Sequence, residues 1–223
     1  MLHKETVTAG TLDLIHRLMD DANLQQFHLV GGTALALMLG HRISIDIDLF
    51  TDKEFDTAQM VKHLSANYET ELKSTGKNSI SGFLEGIKFD LIAHQYPYVK
   101  PVINLEGIRM LSLHDIAAMK VNAIVGNGTR IKDFLDVHFL LRNITYEEMI
   151  NAYLKKYPDV SANMARSSLL YHKDIDFTIP VTMIKDGLKW KDVDKSMRSA
   201  IRVYEKQEAG QDRENDLDQG LSL

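Results

Sequence analysis

Three aspartates carry the chemistry in this chain. From Arg42 to Leu49 the sequence alternates, with Arg42, Ser44, Asp46 and Asp48 on one side and Ile43, Ile45, Ile47 and Leu49 on the other. Read as a strand, the pattern buries the isoleucines and presents Asp46 and Asp48 together. At ~3.3 Å rise per residue their Cβ atoms lie roughly 6–7 Å apart, close enough for both carboxylates to share one cation. Without a counter-charge such a pair repels, and a hard divalent ion such as Mg²⁺ is its natural partner. Arg42 is about 13 Å along the strand from Asp46, too far to serve. A second alternation, Ile87 to Ala93, sets Asp90 and Lys88 opposite Ile87, Phe89 and Leu91, so Asp90 can join the pair if the two strands are neighbours.

Gly31-Gly32 follows the short apolar run Phe27–Val30 and precedes the apolar stretch Thr33 to Leu39. Strand, glycine pair and helix lets backbone N–H groups and a helix start approach a phosphate, with no Cβ in the way. Thr33 is placed to cap that helix. An anion site followed by paired carboxylates suggests a nucleoside triphosphate with Mg²⁺.

The elements that must position these residues are legible in part. Thr11–Met19 reads as a helix. Thr51 with Glu54 has capping-box spacing ahead of a helix over 56–68. Ser79–Leu84 and Ile87–Ala93 read as strands joined at Glu85-Gly86. Pro97 and Pro101 mark a boundary, and helices follow over 112–125, 132–142, 145–157, 163–171 and 192–205. The chain has 223 residues, no cysteine and a net charge of −5, and residues 205–223 hold six acids against two bases. The body is therefore close to neutral, which gives no sign of a broad basic surface for nucleic acid. The polar acidic residues 206–223 are expected to be disordered. The start lacks a signal-peptide core, and the longest apolar run, Ala34–Leu39, cannot span a bilayer. We expect a cytoplasmic protein with no membrane association.

Taken together, Gly31–Leu35 (GGTAL), the Arg42-x-Ser44-x-Asp46-x-Asp48 run and the later Asp90 resemble the nucleotidyltransferase superfamily that includes DNA polymerase beta. Within it the closest likeness is to the AbiEii/AbiGii toxin family, whose further helical motifs match Asp115 with Lys120, and Lys132-Asp133 with Asp136. The likeness covers about residues 27–142. One departure is Ile45, where the family often has an acid; its place on the core face predicts little effect. The resemblance implies an α+β fold: a nucleotidyltransferase core with a mixed sheet and flanking helices over 1–100, then a helical domain over 108–205, with the site between them. It implies transfer of a nucleotidyl group from an NTP to a hydroxyl of tRNA, another RNA or a protein, by the toxin half of a toxin–antitoxin or abortive-infection pair with a cognate antitoxin.

Asp46, Asp48 and Asp90 are then the catalytic and metal-binding residues, holding Mg²⁺ in a two-ion site. Gly31, Gly32, Thr33, Arg42, Ser44, Lys120, Lys132 and Asp133 are the nucleotide-binding candidates. Lys120, Arg130 and Lys132 cluster across the Gly126-Asn127-Gly128 turn, where they face phosphate or form a solvated hairpin. Asp174-Ile175-Asp176 repeats the carboxylate spacing without an upstream glycine pair and reads as a decoy. No histidine pair has the spacing of a transition-metal site. A phosphatase of the haloacid-dehalogenase type would leave the glycine pair unexplained, and a sugar-nucleotide glycosyltransferase is usually larger. A small-molecule nucleotidyltransferase of aminoglycoside type, and a degenerate protein that binds without turnover, stay open.

Overall fold

The computed structural model describes residues 1–185 and 187–220, with side chains as far as Ala209. The chain opens with α1 (Ala9–Asp20), β1 (His28–Leu29) and α2 (Gly31–Leu39). Next come β2 (Ile47–Thr51), α3 (Thr57–Asn67), β3 (Thr70–Gly76), β4 (Ser79–Leu84) and β5 (Ile87–Ala93). A short hairpin, β6 (Ile103–Leu105) and β7 (Ile108–Met110), leads into α4 (Leu113–Gly126), α5 (Ile131–Leu140), α6 (Tyr146–Lys156), α7 (Ala162–Leu170) and α8 (Trp190–Gly220). The strands form one mixed sheet in the order β3-β4-β5-β2-β1-β7-β6. The fold is α+β, as the sequence leads one to expect.

The centre of the sheet is what positions the site. β2 runs parallel to β5, in a register that sets Asp48 directly beside Asp90. Ile47, Leu49, Phe89 and Leu91 point the other way and are fully buried. The β4–β5 turn fixes Asp90 from its other side. Glu85 and Gly86 both take positive φ, 51° and 77°, the geometry of a tight two-residue hairpin turn. That turn aligns Ser81 with Asp90. The β6–β7 hairpin repeats the device at Glu106 and Gly107, with φ of 52° and 84°.

Two local expectations give way. The strand does not begin at Arg42. Residues 42–44 take partners outside the sheet: Arg42 bridges Met183, Ile43 N–H donates to Thr182 O (2.8 Å) and Ser44 N–H to Thr6 O (2.9 Å). Ile45 is therefore not on the core face but 58% exposed. The helix expected behind Thr51 and Glu54 is capped instead by Asp56, which accepts from Gln59 N–H (3.0 Å). α8 runs as helix to Gly220; the run of Glu, Lys, Gln and Ala after Tyr204 favours helix locally. Residues 221–223 lie outside the described residues.

Residues on both sides of the Pro97–Pro101 segment share one buried cluster, from Leu14 through Leu49 and Phe89 to Phe134, Tyr153 and Met197. That segment is pinned by Asp115, at the start of α4, which accepts from Val99 N–H (2.8 Å), Lys100 N–H (3.2 Å) and the Ser112 hydroxyl (2.6 Å). Lys156, at the end of α6 and wholly buried, meets the same carboxylate at 3.0 Å. Lys156→Met leaves that carboxylate without its counter-charge, an arrangement that costs roughly 3–5 kcal/mol. At ~2–4 °C per kcal/mol for a chain of this size, thermal melts should fall by about 10 °C; an unchanged melting temperature would show that the pair does not hold the segment.

Candidate active site

The site is a cleft with the sheet's carboxylates on one wall and α4 and α5 on the other. Asp46, one residue before β2, and Asp48 lie between two lobes. The first, about 170 Å³, is lined by Gly32, Arg42, Ser44, Lys120, Arg130, Lys132 and the 180–182 segment. The second, about 300 Å³, holds Asp90, Lys88, Asn122, His94 and Tyr157. Asp46, Asp48, Lys120 and Arg130 border both.

Packing accounts for the glycine pair in a way that spacing alone does not. Gly31 has φ +68°, and a Cβ there would lie 2.1 Å from Asp48 Oδ2. A Cβ on Gly32 would lie 2.2 Å from an Arg42 guanidinium nitrogen. Each glycine thus makes room for one side chain of the site. Thr33 does not cap α2, whose N-cap, Val30, has no side-chain bond. Its hydroxyl ties the helix to the approach of β2, through Ser44 Oγ (2.9 Å) and the backbone oxygen of Asp46. Thr33 and Ser44 are both buried.

Behind the glycine pair lies a buried ionic cluster. Asp136 accepts from Arg42 Nε (2.7 Å) and Nη2 (2.9 Å) and pairs with His41 Nε2 (2.8 Å). Lys120 Nζ stands 2.7 Å from both Asp133 Oδ1 and Asp136 Oδ2. Burial works against every charge here. The two cations nonetheless hold the Asp136 carboxyl well below its usual range, and Asp136 and Asp133 raise the Lys120 ammonium above its own. Arg42 and Lys120 are thereby balanced by Asp133 and Asp136. Lys120, a nucleotide-binding candidate from the sequence, lines both lobes and at the same time pairs with Asp133 and Asp136, in a network that joins the residues after α2 to α4 and α5. Arg130 remains exposed, 3.5 Å from Asp133, and Lys132 is partly buried; both face the first lobe.

The carboxylates of the cleft have no such balance. Among the described residues, the Asp46 and Asp48 side chains make no ion pair and no hydrogen bond. Burial pushes the Asp48 carboxyl up to about 6; Lys120 opposes the shift, and Asp90 and Asp46 add to it. Asp90 accepts a hydrogen bond from the Ser81 hydroxyl and lies 3.7 Å from Lys88. Acidic oxygens short of positive charge fit a hard divalent cation. No three His, Asp or Glu side chains among the described residues already stand together as a metal-holding group, so a shared ion requires the carboxylates to turn toward it.

Two contributors escape sequence reasoning. Ser81 had a signal, because the two-residue turn at Glu85-Gly86 dictates its pairing with Asp90. The 180–182 segment had none: it reaches the first lobe only through irregular pairing with residues 41–43. The Asp174/Asp176 decoy binds its own loop, Asp176 accepting from Thr178 N–H at 2.9 Å.

A mixed sheet with a glycine-started helix leading to facing carboxylates on parallel strands is a nucleotidyltransferase fold. The chain belongs to the AbiEii family, described as nucleotidyl transferase AbiEii toxin of a type IV toxin–antitoxin system, whose profile matches residues 13–106 and 84–172. It is a nucleotidyltransferase by that membership. An uncharacterized protein of Aquifex aeolicus (strain VF5) is 34% identical over 186 residues, 80% of this chain and 87% of the relative. Two Helicobacter pylori structures share the fold at 18% identity. One, a candidate nucleotidyltransferase, superposes with a TM-score of 0.55 over 90% of this chain and 96% of its own. The other, JHP933, gives 0.54 over 94% and 99%. Among the described residues no helix is long and apolar enough to cross a membrane.

The charge distribution separates two kinds of cation in the cleft. Lys120→Met takes the close cation from the buried Asp133 and leaves Asp136 to Arg42 and His41; it should cost about 3 kcal/mol, lowering the melting temperature by roughly 6–12 °C. Arg130→Ala and Lys132→Ala should leave it within about 2 °C, since such pairs are worth little at a surface. Melting curves of the three variants check this; equal stability of Lys120→Met and wild type would dissolve the cluster as a structural element.

Proposed function

We propose that the chain transfers a nucleotidyl group from an NTP to a hydroxyl acceptor with the help of Mg²⁺, as the toxin of a toxin–antitoxin or abortive-infection pair. The observation that carries the chemistry is the β2–β5 register, which sets Asp48 beside Asp90, with Asp46 and Asp48 free of any ion pair among the described residues. Asp46 and Asp48 are the residues to hold Mg²⁺ against the triphosphate, with Asp90 completing a two-ion site. Bound there, Mg²⁺ supplies charge neutralisation for the leaving and attacking oxygens.

The protein groups do the rest. Arg130 and Lys132 contact the phosphates from the first lobe, each gaining a charge-assisted hydrogen bond. Asp90, oriented by Ser81, takes the proton of the acceptor hydroxyl. The acceptor oxygen bonds to the α-phosphorus, the bond from that phosphorus to the β-bridging oxygen breaks, and pyrophosphate leaves. Alignment and fixed charge account for the rate gain. The acceptor class is RNA, such as tRNA, or protein, and family membership supports a cognate antitoxin as partner.

Incubation with α-labelled NTPs and a cell extract should label an acceptor in the presence of Mg²⁺. Labelling should fall at least 100-fold in Asp46→Asn with Asp48→Asn. Undiminished labelling by that double variant would remove these carboxylates from the mechanism. A second readout is stability. Asp48→Asn relieves repulsion in the metal-free protein, so its melting temperature should rise by a few degrees, at ~2–4 °C per kcal/mol. The rise that Mg²⁺ with NTP gives the wild type should disappear in the variant.

A further inference from the structure

The second lobe differs in kind from the first. Its floor is apolar, made of Ile116, Met119 and Ala123 on α4. Its wall is aromatic: Phe50 on β2, His94 just past β5 and Tyr157 just past α6. The Phe50 and His94 rings are 5.6 Å apart at 36°, and Tyr157 meets His94 edge-on at 5.7 Å. Tyr96 closes the set from behind, 4.7 Å from His94 and 4.8 Å from Tyr157. Burial and the nearby Lys156 charge push the His94 imidazole down to about 4, so at neutral pH it offers an uncharged face. Tyr157 Oη and His94 Nε2 lie 3.2 Å apart and hold that ring in place. One side-chain amide, Asn122, enters this lining from α4. It has no hydrogen-bond partner among the described residues.

We infer that this lobe is a nucleobase site, in which the base stacks against Phe50 and His94 and the Asn122 amide reads its hydrogen-bonding edge. The inference rests on the nucleotidyl-transfer reading and assigns the part of that reaction which phosphate and metal do not explain. A planar π-face suits the aromatic wall, and base–aromatic stacking tolerates any base. Discrimination needs a donor–acceptor pair, and an amide offers both in one group. The first lobe, lined with Arg42, Lys120, Arg130 and Lys132, provides charge for phosphates and no aromatic face for a base. Asp46 and Asp48 border both lobes, so a phosphate in one and a base in the other meet at the carboxylates.

The base belongs either to the incoming NTP or to the terminal nucleotide of an RNA acceptor, and calorimetry separates the two. Wild type, Asn122→Ala and His94→Leu are titrated with ATP, GTP, CTP and UTP in Mg²⁺, and with four ribotrinucleotides differing in the 3′ base. Asn122→Ala should keep a melting temperature near that of wild type; His94→Leu gives up the bond to Tyr157, so its titrations are run at a temperature where its melting curve shows it folded. Within one of the two ligand series, His94→Leu should bind every member roughly 5- to 150-fold more weakly, the range of one lost stacking contact. Asn122→Ala should flatten or reorder the preference among the four bases in the same series, and that series identifies the source of the base. Asn122→Asp, which keeps the shape and removes the donor, should reorder it differently from Asn122→Ala. If the wild type binds NTP while all three variants match it in affinity and preference in both series, the nucleobase site is wrong and nucleotidyl transfer stands. If the wild type binds no NTP, the nucleotidyl-transfer reading falls and this inference with it.

Discussion

Charge balance in the cleft governs the arrangement of this protein. Placing Asp48 beside Asp90, with Asp46 two residues away, concentrates like charge where the two halves of the chain meet. The nearest buried cations, Arg42 and Lys120, offset it only in part, because Asp133 and Asp136 already hold them at 2.7–2.9 Å. Asp46 and Asp48 are therefore left without an ion pair among the described residues, and this is the observation behind the divalent cation and polyphosphate proposed for the cleft. Burial is the main reason the Asp48 carboxyl is raised; Lys120 opposes it, and Asp90 and Asp46 add to it.

The same network also holds the scaffold together. Gly32 lets the Arg42 guanidinium pass beneath α2, Asp136 receives it from α5, and Lys120 completes the link from α4. A buried network of this kind contributes little net stability over an apolar core but is costly to break singly. It fixes how α4 and α5 face the strand carboxylates, and so how Arg130 and Lys132 reach the first lobe. Positioning and charge isolation come from one set of contacts.

Much of this was legible in the sequence wherever local rules and tertiary structure agree. The β5 alternation located Asp90, and the Thr145–Glu148 capping box opened α6 as read, both of its bonds being present. The carboxylate pair was visible too, although the strand starts at Ile47 rather than Arg42 and so bears Asp48 but not Asp46. That error has a physical source: residues 42–44 alternate like a strand but find partners in Thr6 and in the 182–183 segment, and no local pattern announces so distant a pairing. The β6–β7 hairpin was missed although Glu106-Gly107 carries the same turn signal as Glu85-Gly86, because its strands are three residues each. The role of Lys120 was hidden for a different reason. A lysine among apolar helix residues looks alike whether it snorkels, binds phosphate or meets buried acids, and only the packing of α5 against α4 decides.

The central claim is that the strand carboxylates form a cation site that the protein itself leaves unbalanced. Manganese binding followed by electron paramagnetic resonance, with and without NTP, tests it most directly. NTP should draw Mn²⁺ from the free to the bound signal in the wild type, and Asp46→Asn with Asp48→Asn should abolish this while the fold is retained. NTP-dependent Mn²⁺ binding of equal strength in the double variant would contradict it.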